Sequence, residues 1–232
     1  MDLSNRVAII TGATGASGPA VTRAFAAAGA AVVVPCRNEE AFTRLQTELG
    51  DLAARISGQA TDITNKAQVR WFVAGSLSRR SRIDFLMNLA GGAFTSTGID
   101  LWDRVFRANL QTALLMTHAV LPHLLDRGEG RVITFGARHA LEPTANASAY
   151  TAARATVIAM TRSIAREIRT NGITINCIAP STIDTAANRE TIPKGNAARW
   201  VQPDQLASLI LYRCSDAAAA INGAVIPISG QL

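Results

Sequence analysis

Lysine and cysteine are the scarce residues of this chain, and each scarcity excludes something. Lys66 and Lys194 are the only lysines, so the net charge of +6 and the pI near 10.0 rest on arginine. The arginines are spread along the chain, and the one local cluster, Arg79-Arg80-Ser-Arg82, reads as a solvated helix end; no nucleic-acid partner is expected. Cys36, Cys177 and Cys214 are odd in number and lack C-x-x-C spacing. Core thiols are expected in place of disulfides or a metal site, and His118, His123 and His139 form no ligand motif. No run of about 18 apolar residues occurs, and Met1 to Arg6 does not open a signal peptide. A cytoplasmic protein with no membrane partner is therefore expected. With 48% hydrophobic residues, the 232 positions suffice for one domain spanning 1–232.

What is present begins with Arg6-Val-Ala-Ile-Ile-Thr-Gly-Ala-Thr-Gly-Ala-Ser-Gly18. Val7 to Ile10 is short, β-branched and apolar, as a strand buried on both faces should be, and Ala20, Val21, Ala24 and Phe25 repeat at helical spacing. The glycines between them allow a sharp bend and close backbone approach, with a helix N-terminus behind. The stretch reads as a cradle for a dinucleotide pyrophosphate, formed by Gly12, Thr14, Gly15, Ala16, Ser17 and Gly18.

Strand and helix patterns then alternate. Strands are predicted near Ala30 to Val34, Ala54 to Ala60, Ile83 to Asn88, Arg131 to Phe135, Gly172 to Ile178 and Ala224 to Ile228. Helices are predicted near Asn38 to Gly50, Asn65 to Arg79, Asp100 to Arg127, Ala149 to Thr170 and Gln202 to Ser215. The fold class is α/β, a doubly wound parallel sheet of about seven strands with helices on both faces. The irregular segment 180–201 leaves the carboxyl edge of such a sheet, where ligands bind, and is a candidate substrate loop.

Chemistry-bearing residues fall at the ends of these strands. Arg37 follows the second strand, where an acidic side chain would meet the ribose hydroxyls of NAD; an arginine suits a 2′-phosphate, so NADP(H) is preferred and NAD(H) is possible. Asp62, with Ile63 beside it, either accepts from the adenine amino group or caps the helix near Asn65. Asn88-Leu-Ala-Gly-Gly92 offers Ala90 and Gly91 as backbone against the cofactor. Asn109 is polar within an apolar helical stretch. Tyr150 and Arg154 stand at i and i+4 on one helix face, where a fixed positive charge favours the phenolate that a proton donor leaves behind.

In this order the motifs strongly resemble the short-chain dehydrogenase/reductase family, over essentially the whole chain. The resemblance implies a single Rossmann-like domain, hydride transfer from a nicotinamide, and a tetrad of Asn, Ser, Tyr and Lys. Asn109 matches the asparagine and Tyr150 the proton donor. The serine position, thirteen residues before the tyrosine, is Ala137, and the lysine position is Arg154. The usual T-G-x-x-x-G-x-G turn has Ala16 where a glycine is expected, and Gly15 beside it. Pro180, Ile183 and Thr185 fall where the family approaches the nicotinamide, and Ala137, His139 and Trp200 on the substrate side. Dihydropteridine reductases resemble the chain locally. They too have alanine at the serine position, in a run matched by Gly136-Ala-Arg-His-Ala-Leu141, and Asp184-Thr-Ala-Ala-Asn-Arg189, Ile192-Pro193 and Trp200 stand in corresponding places.

The sequence thus reads as a reductase passing a hydride from NADPH to a small activated acceptor, pterin-like, quinonoid, imine or carbonyl. The alternative is a catalytically impaired nucleotide-binding homologue with a structural or regulatory role. A homo-oligomer, dimer or tetramer, is implied by the family, through the helices at Asp100 to Arg127 and Ala149 to Thr170, where Ala152, Ala153, Ala155 and Ala159 would permit close approach.

Overall fold

The computed structural model describes residues 1–92 and 98–231. One parallel sheet holds β1 (Val7–Thr11), β2 (Ala31–Cys36), β3 (Ile56–Ala60), β4 (Phe85–Asn88), β5 (Gly130–Phe135), β6 (Ile173–Pro180) and β7 (Val225–Ile228), in the order β3-β2-β1-β4-β5-β6-β7. Every residue of β1, β4, β5 and β6 is buried, as strands covered by helices on both faces must be, the polar Asn88, Arg131, Thr134 and Asn176 included. The winding reverses between β1 and β4, and this opens a crevice at their carboxyl ends.

The helices are α1 (Gly18–Ala27), α2 (Glu39–Leu49), α3 (Lys66–Arg80), α4 (Trp102–Phe106), α5 (Thr112–Arg127), α6 (Ser148–Glu167), α7 (Ala186–Thr191) and α8 (Pro203–Arg213). On one face Val21 and Phe25 of α1, Leu45 of α2 and Ile210 of α8 pack against Ile10 and Val34. On the other, Phe72 of α3 and Met116 and Leu124 of α5 cover Ile9 and Val132. The sheet is doubly wound, as the alternation of patterns predicts. No helix among the described residues is long and apolar enough to cross a membrane.

Three differences from the sequence reading have local causes. Gly50–Arg55 closes as a 3₁₀ turn, so β3 begins at Ile56 and not at Ala54. The helix predicted from Asp100 divides into a 3₁₀ turn at Ile99–Leu101, α4, a π-helical turn at Arg107–Gln111 and α5. The segment 180–201 is less irregular than expected: it holds α7 and a 3₁₀ turn at Ala197–Arg199, and it closes on itself through a bridge between Ile183 and Val201.

The three cysteines are buried free thiols, and burial pushes Cys214 up to about 12. Arg82 is no solvated helix end. It turns inward with Arg6 onto Asp84, whose side chain is 2% exposed. The four alanines proposed for an interface do not share one face: Ala153 is fully buried beside Val105 and Ala149, whereas Ala159 is exposed.

Candidate active site

The crevice floor is backbone. Gly12 turns at φ +70°, and a Cβ on Gly18 would stand 2.3 Å from the Gly12 carbonyl oxygen and 2.4 Å from that of Ala13. Only glycine lets α1 start so close to the strand that precedes it. Gly15 and Ala16 are exposed at the tip of the turn, with Thr14 and Ser17 at its flanks. No side chain caps α1 and Pro19 has no N–H, so the positive end of the helix stays open to an anion. The Thr11 hydroxyl donates to the Met87 carbonyl at 3.3 Å and accepts from the Ala90 N–H at 3.2 Å, tying the turn after β1 to the one after β4. Sequence reasoning missed this staple, because a threonine ending a strand carries no distinguishing spacing.

Asn88 is buried and its Nδ2 donates to the Thr117 hydroxyl at 2.9 Å, which ties β4 to α5. Its Oδ1 has no partner among the described residues. Arg37 is exposed and forms no hydrogen bond or ion pair with any described residue, while Asn38 beside it caps α2 by accepting from the Ala41 N–H. Asp62 closes a local turn. Its Oδ1 accepts from the Thr64 N–H and hydroxyl, at 2.9 and 2.7 Å, and the cap of α3 belongs to Asn65. Ile63 packs against the core behind it.

The second wall comes from the end of β5, the 3₁₀ turn Arg138–Ala140, the start of α6 and the π turn. Arg154 is 5% exposed; its Nη1 donates to the Phe135 carbonyl at 2.8 Å and its Nε is buried with no partner among the described residues. Its Cζ lies 5.5 Å from the centroid of the half-buried Tyr150 ring. The His139 ring meets Tyr150 edge to face, with centroids 5.9 Å apart and planes at 74°. Ala137, 2% exposed, brings no hydroxyl, and its carbonyl accepts from the Ala140 N–H.

Asn109 sits in the π turn, fully buried, with both ends of its amide taken: Oδ1 accepts from the Gly92 N–H at 3.0 Å and Nδ2 donates to the Val105 carbonyl at 3.0 Å. It positions the loop after β4. Both of these side-chain bonds run to backbone, of Gly92 and of Val105. π turns of this kind recur at functional sites because one extra residue re-aims a side chain.

Gly91 closes the wall. Its φ is +142°, and a Cβ there would stand 2.3 Å from Arg154 Nη2 and 2.5 Å from Asn109 Oδ1. Gly91→Ala is expected to cost about 1–3 kcal/mol of stability, read by urea unfolding, from backbone strain alone. Thermal shift measured with and without NADPH would place the damage in this crevice if the stabilisation by nucleotide falls with it.

Beyond β6, Pro180 is buried at the strand end, the Ile183 carbonyl accepts from Asn188 Nδ2 at 2.8 Å, and Thr185 caps α7. Trp200 is 4% exposed, and a Cβ on Gly195 would meet its ring at 2.3 Å. Its ring packs within the excursion, against the backbone at Gly195.

These groups suit a dinucleotide. The uncapped α1 end and the glycine-rich Gly12 to Gly18 turn would take the pyrophosphate, Arg37 offers a cation with no partner among the described residues, and Asn88 Oδ1 and Arg154 Nε are buried with no partner among them.

A family model described as short chain dehydrogenase matches residues 6–196. Subunit BbsD of a hydroxy(phenyl)methylsuccinyl-CoA dehydrogenase from Thauera aromatica is 32% identical over 242 residues, covering 99% of this chain and 97% of that protein. D-threitol dehydrogenase from Mycolicibacterium smegmatis is 30% identical over 241 residues, covering 98% and 93%. The crystal structure of a 3-ketoacyl-(acyl-carrier-protein) reductase from Brucella melitensis complexed with NADH superposes with a TM-score of 0.87 at 27% identity, covering all of both chains. That of an actinorhodin polyketide ketoreductase variant with NADPH gives 0.90 at 25%, covering 97% and 96%. With its sheet order, its glycine turn and its Tyr150 and Arg154 wall, the chain belongs to the short-chain dehydrogenase/reductase family.

Proposed function

We propose that this chain is an NAD(P)H-dependent reductase that prefers NADPH and acts on a small activated acceptor, quinonoid, pterin-like, imine or carbonyl. The observation that carries the reading is the half-buried Tyr150, with the buried Arg154 cation 5.5 Å over its ring, at the carboxyl edge beside an uncapped glycine turn. When bound, the nicotinamide supplies the hydride. Tyr150 gives its hydroxyl proton to the acceptor's oxygen or nitrogen, and the fixed guanidinium of Arg154 stabilises the phenolate that remains. Phe135 holds that guanidinium through its carbonyl oxygen, so the charge does not swing away.

Ala137 argues for an activated acceptor. Losing one hydrogen-bond donor to a developing oxyanion costs on the order of a hundredfold or more in comparable sites. An acceptor already polarised, such as a quinonoid ring or a conjugated imine, needs that donor less. The NAD(P)-linked neighbours support the cofactor class, and Arg37, with no partner among the described residues, supports the 2′-phosphate. Arg37→Ala should weaken NADPH binding by about 10–100-fold, the worth of one or two charge-assisted hydrogen bonds, and leave NADH nearly unchanged. Equilibrium titration of nicotinamide fluorescence reads both.

The test is NADPH consumption by wild type and Arg154→Lys, side by side, over quinones, quinonoid dihydropterin, cyclic imines and simple ketones. Turnover by the wild type on an activated acceptor, little changed by the lysine, supports the reading. NADPH binding without wild-type turnover, with activity appearing in Arg154→Lys, supports the second reading instead, a nucleotide-binding homologue that has lost turnover. The observation behind that second reading is Ala137, which brings no hydroxyl to an acceptor that is not already polarised.

A further inference from the structure

Each turnover of the proposed reaction leaves Tyr150 as a phenolate, and the next requires its proton back. Among the described residues, two side chains have ring or cation contacts with Tyr150. Arg154 is one, but a guanidinium does not release a proton near neutral pH, so it stabilises the phenolate without refilling it. His139 is the other, with its ring edge to face at 5.9 Å. Neither ring nitrogen of His139 bonds any described residue, and the side chain is half-buried, open on one side to solvent. The Asn109 side-chain amide is bonded at both ends, to the Gly92 N–H and the Val105 carbonyl.

We infer that His139 is the proton carrier that recharges Tyr150. The inference rests on the reductase reading above. In balanced form, the Tyr150 O–H breaks as its proton passes to the acceptor's oxygen or nitrogen. The imidazolium N–H of His139 then breaks and, across one water, a proton re-forms the phenol. The neutral imidazole takes the next proton from solvent, so the net consumption is one hydride and one solvent proton per acceptor. Histidine is the side chain suited to this exchange near neutral pH.

Among the described residues, the titratable and charged groups on the elements packed against His139 are Arg138, paired with Glu142 at 2.9 Å on its own turn, Tyr150 and Arg154 on α6, and Cys177 on β6, whose thiol burial keeps protonated. Arg138 and Tyr150 both have partners, and the His139 imidazole has no hydrogen bond or ion pair with any described residue.

The experiment compares wild type, His139→Phe, His139→Ala and Tyr150→Phe, each first confirmed to bind NADPH. His139→Phe keeps an aromatic ring against Tyr150. The expected result is a fall in kcat of about tenfold or more in both His139 variants with KM little changed, and a saturable recovery of His139→Ala on adding imidazole at constant pH and ionic strength. A wild-type kcat in His139→Phe, or a loss that imidazole does not restore, overturns the relay. Impairment in Tyr150→Phe without any in the His139 variants leaves the reductase reading standing and removes this inference alone; an unimpaired Tyr150→Phe removes the reading itself. Independently of turnover, ¹⁵N-histidine NMR of the nucleotide-free protein should show the His139 imidazole responding to ionisation of Tyr150, a response absent in Tyr150→Phe. No such coupling overturns the inference even where no acceptor is turned over.

Discussion

Tyr150→Phe is expected to lower kcat/KM by about 10²–10⁴, which is about 3–5 kcal/mol of barrier, while NADPH still binds. The magnitude follows from what the phenyl ring keeps and what it loses. The edge contact with His139 and the cation over the ring involve the aromatic system, so they survive, and the protein should unfold at the wild-type urea midpoint. Only the transferable proton is gone. A variant that lost nucleotide binding as well would point to a structural tyrosine, and steady-state kinetics paired with a binding titration separates the two results.

The second large effect lies at the opposite edge of the sheet. Asp84 accepts from Arg6 Nη1 at 2.9 Å, from Arg82 Nε at 2.8 Å and from the Val7 N–H at 2.8 Å, with a further bond from Arg82 Nη2. Burial alone would raise its carboxyl, but the bonds from Arg82, Val7 and Arg6 outweigh burial and hold it below the usual carboxylate range. Asp84→Ala is expected to destabilise by about 3 kcal/mol, the low end for breaking a buried ion pair, because Arg6 and Arg82 keep some access to water. Glu129 receives Arg6 and Arg127 nearby, yet its side chain is 43% exposed, and Glu129→Ala should cost under about 1 kcal/mol.

The pH dependence has a definite sign. A carboxyl depressed in the folded state contributes stability above its unfolded value, and that contribution disappears as pH falls through the folded one. Wild type should therefore lose stability below about pH 4 more steeply than Asp84→Ala. Urea unfolding of both variants at neutral and acid pH reads the difference, and parallel curves would contradict the assignment.

How much of this was legible beforehand depended on whether a feature lives in one side chain or between two distant ones. The glycine turn was readable because Gly12 and Gly18 meet backbone that a Cβ would strike, a constraint written into residue type. The alternation of β-branched runs with helical stretches gave the strand and helix positions within a few residues, since both faces of the sheet are covered and periodicity records that burial. Tyr150 and Arg154 were readable because i and i+4 meet on any helix.

Other features have no sequence signature. The acceptor that fixes Arg154 is the carbonyl of Phe135, and a backbone oxygen looks the same under every residue. The π turn at Arg107–Gln111 re-aims Asn109 toward Gly92 without changing the apolar spacing around it, so a single long helix was expected there. Trp200 suggested a substrate wall because it lies in a loop at the carboxyl edge, but the glycine at 195 lets its ring pack within that loop. Asp84 sits 78 residues from Arg6 in the chain, and only the parallel pairing of β1 with β4 brings them together.

The account turns on whether this site moves a hydride at all with alanine at 137 and arginine at 154. The most direct measurement uses NADPH deuterated at the reactive carbon and follows the label into product, with the wild-type protein and an activated quinonoid or iminium acceptor. Deuterium on the reduced acceptor, in amounts that fall about 10²–10⁴-fold in Tyr150→Phe, is the expected result. Saturable NADPH binding by the wild type, with no labelled product from any acceptor that Arg154→Lys can reduce, would contradict it.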